Sequence, residues 1–253
     1  MIRKRTMTAA VLVALLIGAG LARADETRTV NATSDSTVVR TENPDGSMTV
    51  TKECEISFDN GKSLTVSEER TVVKDEDGSR AWSGSRTVTD AEGRTATSTG
   101  QGSAVKTDDG VQWSRTASGT NRQGEAWSAE TTGSGRRSES GMNWSSTTSG
   151  THASGKSWTT ERSGLRRRNE DGSRTHTGNA TRRNSEGGEW SSTWERTGRK
   201  TGENSWAWNG SATITGKGGQ RQRSSQGAAE RDGNTITRRS SRTRSGGRRT
   251  NRQ

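Results

Sequence analysis

Asn121-Arg122-Gln123-Gly124-Glu125-Ala126-Trp127-Ser128-Ala129-Glu130 contains both halves of the pattern that decides the fold. An Asx residue three positions before a glycine is turn chemistry. Its side-chain oxygen accepts from the turn amides, the middle pair suits a type I turn, and glycine supplies the left-handed position of a G1 bulge. The residues that follow are rich in types that favour strands, without the 3.6-residue apolar spacing of a helix. The same turn recurs at Asn43-Pro44-Asp45-Gly46, Asp75-Glu76-Asp77-Gly78, Asp90-Ala91-Glu92-Gly93, Asn169-Glu170-Asp171-Gly172 and Asn184-Ser185-Glu186-Gly187. Taken two at a time, turn glycines from Gly46 to Gly247 recur every 29 to 32 residues, which reads as a repeat of two strand-and-turn halves.

Working outward, residues 25–233 are expected to form an all-β, elongated antiparallel meander of about fifteen strands, single-layered or weakly curled. A β-solenoid with one coil per half-repeat is the alternative, ranked second because reversing turns fit the Asx-x-x-Gly sites better than solenoid corners do. An outer-membrane barrel suits the strand count but needs an apolar lipid-facing band, which Ser146, Thr148 and Gly150 do not supply. Composition excludes a packed core: of 253 residues, 23% are hydrophobic and 4% aromatic, with 32 glycines and no tyrosine.

Met1 to Ala24 reads as a secretory signal. Arg3-Lys4-Arg5 form the basic start, Ala9 to Leu21 the apolar stretch, and Ala22-Arg23-Ala24 the cleavage site. The apolar run is too short for a spanning helix and no second one follows, so no transmembrane segment is expected. The destination is periplasmic or extracellular, in a bacterium. Cys54 is the only cysteine, which leaves no disulfide within the chain and reads as a small half-buried residue.

The tryptophans keep step with the turns. Trp113, Trp127, Trp144, Trp158 and Trp190 follow a turn glycine by three positions, and Trp82 and Trp206 by four; His176 or Thr175 fills one place in the series. A G1-bulge register sets Trp127 opposite Gly119 and Trp158 opposite Gly150, an indole covering bare backbone. By the same count Trp144 faces Arg136 and Trp190 faces Arg182, inviting cation–π stacking. These seven tryptophans are candidate stacking residues, either as a substitute for a core or as a platform for sugar rings.

Charge is uneven along the chain. Acids predominate to residue 130 and bases after it, with Arg238, Arg239, Arg242, Arg244, Arg248, Arg249 and Arg252 in the last stretch. Residues 234–253 are expected to be a basic, disordered tail able to bind an anionic polysaccharide or cell-surface polyanion by counterion release, without reading nucleic-acid sequence. An acidic start and basic end with open edge strands also permit head-to-tail or edge-strand self-association.

No metal-ligand spacing, phosphate-cradling loop or catalytic pairing is present, so neither an enzyme nor a cofactor is expected. Asp90-Ala91-Glu92-Gly93-Arg94, preceded by Thr87-Val88-Thr89, resembles the turn of YD/RHS repeats. The tyrosine that defines those repeats is missing, so what is shared is hairpin chemistry. The sequence therefore reads as an exported structural or adhesive repeat protein presenting a Trp/Thr/Arg-lined β surface, with polysaccharide or polyanion binding as the alternative.

Overall fold

The computed structural model describes residues 30–217 and 219–246. They form fourteen strands: β1 (Val30–Glu42), β2 (Met48–Phe58), β3 (Ser63–Lys74), β4 (Arg80–Asp90), β5 (Thr95–Thr107), β6 (Gly110–Thr120), β7 (Ala126–Ser138), β8 (Gly141–His152), β9 (Ser157–Arg168), β10 (Arg174–Asn184), β11 (Glu189–Lys200), β12 (Ser205–Gly216), β13 (Gly219–Asp232) and β14 (Thr235–Gly246). Each pairs antiparallel with the next, and β1 pairs with β14 from Val30↔Arg244 to Val39↔Thr235. The sheet is a closed barrel.

The turns form as their residues dictate. At the first hairpin the Asn43 amide donates to the Ser47 carbonyl at 2.8 Å and the Gly46 amide to the Asn43 carbonyl at 3.0 Å. Gly46 takes φ 78°, the left-handed conformation that closes a type I turn with a G1 bulge. Asn121 Oδ1 accepts from the Gln123 and Glu125 amides, both at 2.9 Å, so the Asx side chain ties the turn to the start of the next strand.

Closure corrects several expectations. The meander is neither an open ribbon nor weakly curled, and antiparallel pairing throughout excludes the solenoid. The sheet has no edge strand, so the edge pairing proposed for self-association has no site. Residues 235–246, assigned to a disordered tail, are the strand that closes the barrel; Arg248, Arg249, Arg252 and the signal at 1–24 lie outside the described residues. The absence of a transmembrane segment rested on the lack of a helical run and on Ser146, Thr148 and Gly150, which lie on the inner face. A closed antiparallel barrel is the other structure able to span a bilayer, so that judgement does not stand.

Alternation gives each strand two faces, and one of them is the interior. The buried apolar residues Val38, Leu64, Val66, Trp158, Ala180 and Ile236 all lie on one continuous face, linked by pairs such as Val38↔Ile236 and Ile56↔Leu64. Coil handedness agrees. Barrel strands coil in one hand, and here the paired rows drift toward the N-terminal end of β1 on a circuit starting through β2. For L-residues this turns inward the β1 side chains whose backbone bonds toward β14. Arg40, whose amide donates to Asn234 at 3.2 Å, is therefore inward, and Asn31, whose carbonyl accepts from Asp59 at 3.2 Å, is outward. On β8 the inward set is Met142, Trp144, Ser146, Thr148, Gly150 and His152, while Asn143, Ser145, Thr147, Ser149 and Thr151 stand exposed outside. Ser146, Thr148 and Gly150, invoked against a membrane barrel, thus line the lumen and never bore on the outer wall.

Candidate functional site: a basic, aromatic lumen

The two faces differ in chemistry. Inward-facing bases include Arg70, Arg86, Arg115, Arg162, Arg166, Arg182, Arg196, Arg223, Arg238, Arg242 and Arg244, whereas the inward acids on the strands are Glu42, Glu68 and Asp90. Outward, the strands carry Asp35, Glu53, Glu55, Glu69, Glu130, Glu161, Glu189, Glu195 and Glu230 among serines and threonines. The outward bases take up some of these acids: Arg183 meets Glu189 at 2.9 Å and Glu161 at 3.8 Å, and Arg239 meets Asp35 at 3.5 Å. Charge is thus sorted across the wall, bases in and acids out. With few counter-charges on the same face, the guanidiniums form a field that favours anions.

The tryptophans share the inward face. Trp82, Trp113, Trp127, Trp144, Trp158, Trp190 and Trp206 all point into the barrel, which removes them from the outer surface where a platform was expected. Trp127 lies opposite Gly119 and Trp158 opposite Gly150, in the register expected from the turns. Trp144 instead faces Gly135, one residue away from Arg136, because Arg136 belongs to the outward set. Trp190 does face Arg182, yet the Arg182 guanidinium sits over Trp158 at 5.0 Å from the ring centroid. Arg70 and Arg115 bracket Trp82 at 5.8 and 5.3 Å, and Arg196 covers Trp208 at 5.0 Å. Such stacking holds the long cationic side chains against the wall.

The densest group lies on β8 to β11. One row across these strands reads Trp144, Gly164, Gly178, Trp194, and the adjacent row reads Met142, Arg166, His176, Arg196. The indoles lie over the two glycines, so a Cβ at Gly178 would collide with the Trp194 ring. Ring centroids are 5.5 Å apart for Trp144 and His176, and 6.2 Å for Trp144 and Trp194. Trp144 Nε1, Trp194 Nε1 and His176 Nε2 are shielded from solvent and make no hydrogen bond. Trp194, Trp208, Arg166 and Arg196 were missed by reading offsets from turn glycines. The hairpin count that placed Trp127 over Gly119 would also have set Trp194 against Gly178; Trp208 lies against Gly227 across a tighter turn, where that count is off by one residue.

No group of three or more metal-ligating side chains occurs among the described residues. Of the candidate polyanion arginines, Arg238, Arg242 and Arg244 face the lumen and Arg239 faces out, so they form no free basic tail.

No family model matches the chain, and no curated protein does. Among solved structures it is similar to a bacterial polysaccharide outer membrane secretin, with a TM-score of 0.52 and 8% identity over 87% of this chain and 98% of that one. CdiB from Acinetobacter baumannii (TM-score 0.47, 7% identity, 88% and 61% covered) and OmpT of Vibrio cholerae (0.40, 5%, 87% and 97%) are also found. The first likeness is one of fold, and it gives the chain the architecture of an outer-membrane barrel. This overturns the adhesive repeat protein, its polysaccharide-binding alternative and the associated partners, which assumed an open surface sheet and a free basic tail. Of the expected address, this architecture is consistent with a bacterial, exported chain and lends no support to the periplasm or the extracellular space.

Proposed function

We propose that the chain is an exported, non-catalytic β-barrel of outer-membrane architecture whose lumen admits and holds small anions. The observation that carries this reading is the sorting of charge across the wall, with arginines inside and carboxylates outside. Indoles serve the same end: they cover bare glycine backbone and brace the guanidiniums, keeping the cationic groups arrayed along the wall.

Because the tryptophans line the lumen, their fluorescence reports which ions enter. Iodide is expected to quench it several-fold more effectively than caesium at equal ionic strength, with acrylamide setting the neutral reference. Raising salt should shrink the difference as the field is screened. Equal quenching by the two ions, or stronger quenching by caesium, overturns the reading.

A further inference from the structure

The lumen is not uniform. On β8 to β11 two indoles and an imidazole meet over a floor of two glycines, with Arg166 and Arg196 in the row of the imidazole. We infer that this cluster is a binding site for an aromatic carboxylate, a reading that rests on the anion-admitting lumen and narrows it to one place and one ligand class.

Each part of the site asks for something specific. Arg166 and Arg196 flank His176 in register, and neither has a carboxylate partner among the ion pairs of the described residues. Guanidiniums and indole N–H groups only donate, so the group that completes them must accept. A carboxylate does so with two oxygens and one negative charge, and it can take a bidentate pair from a guanidinium. Arg196 is already positioned by its stacking on Trp208 at 5.0 Å. The Trp144 and Trp194 rings, inclined at 35° with centroids 6.2 Å apart, form a broad aromatic wall one row from the guanidiniums. A ligand spanning both rows is flat and aromatic at one end and anionic at the other. Three shielded nitrogens without partners, Trp144 Nε1, Trp194 Nε1 and His176 Nε2, show that the cluster's own residues do not satisfy it. Buried polar groups left in that condition are costly, and a ligand that brings acceptors as the rings shift removes the cost.

The test is titration of the full barrel with benzoate, followed by tryptophan fluorescence, with acetate and benzyl alcohol as the anionic and aromatic halves alone. Benzoate is expected to bind at least tenfold more tightly than either. Arg166→Gln with Arg196→Gln, checked for an unchanged far-UV circular dichroism spectrum, should weaken benzoate at least tenfold, and Arg199→Gln on the outer wall should not. If the double variant fails to fold, Trp194→Phe takes its place with the same expectation. Should acetate match benzoate while iodide still outquenches caesium, the aromatic site is refuted and the anion-admitting lumen stands. If caesium quenches as well as iodide, the broader reading fails first. Benzoate binding that survives both variants also refutes the site.

Discussion

At the scale of single residues, the fold depends on pairs of unequal size. Trp194 can lie flat because Gly178 has no side chain beneath it. A Cβ there meets the indole and lies 2.7 Å from the Ser163 carbonyl oxygen, too close for either to remain in place. Gly178→Ala is therefore expected to destabilise the barrel by about 1–3 kcal/mol in urea unfolding, the usual cost of overpacking. Gly198 is the control. Its nearest neighbour to an added Cβ is the Ala207 carbonyl oxygen at 3.6 Å, an ordinary contact, and Gly198→Ala should change stability by less than about 0.5 kcal/mol. Equal losses would show that the indole does not rest on Gly178. The tryptophan and glycine partners at Trp127 and Trp158 were legible in the sequence because a G1 bulge fixes the register across one hairpin. The neighbours of Trp144 were not: an offset of one residue exchanges Arg136 for Gly135 and turns the side chain to the other face.

At the scale of elements, the hairpins carry a pH dependence of their own. The hydroxyl and amide of Ser47 hold the Asp45 carboxyl below the usual carboxylate range; the amide and hydroxyl of Ser79 do the same for Asp77, and the hydroxyl and amide of Ser173 for Asp171. A carboxylate whose pKa is lower folded than unfolded adds stability above its unfolded pKa, and this is lost as pH falls through the folded value. Stability should therefore hold from neutrality down to about pH 4 and decline below it. The combined Asp45→Asn, Asp77→Asn and Asp171→Asn variant should decline less steeply, as measured by urea midpoints between pH 7 and pH 2. An identical slope would mean that these turns do not contribute. Strand and turn positions were legible because they depend on local chemistry: a left-handed glycine and an Asx oxygen act within five residues. The two faces were visible as alternation, but which of them is concave was not, since curvature belongs to the sheet and not to any one strand.

At the scale of the whole molecule, closure and charge sorting are the properties the sequence concealed. Closure depends on β1 meeting β14 across nearly the full chain, and no local pattern announces it. Counting charge along the chain showed an acidic half and a basic half. The organisation that matters repeats every two residues and alternates between lumen and exterior, so a linear tally averages it away. The outer wall is also unusual for this architecture. Its aliphatic residues, such as Val39, Val73, Val105 and Leu165, are scattered among Ser, Thr, Asn and Gln, so the described strands carry no continuous apolar band on that face. The polar grooves along it, walled by residues such as Gln112, Ser134, Ser145 and Asn179, have the same character.

Everything proposed for the lumen requires that the sheet close. Thr33 and Ser241 are directly paired across β1 and β14, and both face outward. In a Cys54→Ser background, Thr33→Cys with Ser241→Cys should form a disulfide within one chain under mild oxidation, seen as a reducible mobility shift of the monomer. Failure to cross-link, or cross-linking only between chains, would contradict the closed barrel and the lumen with it.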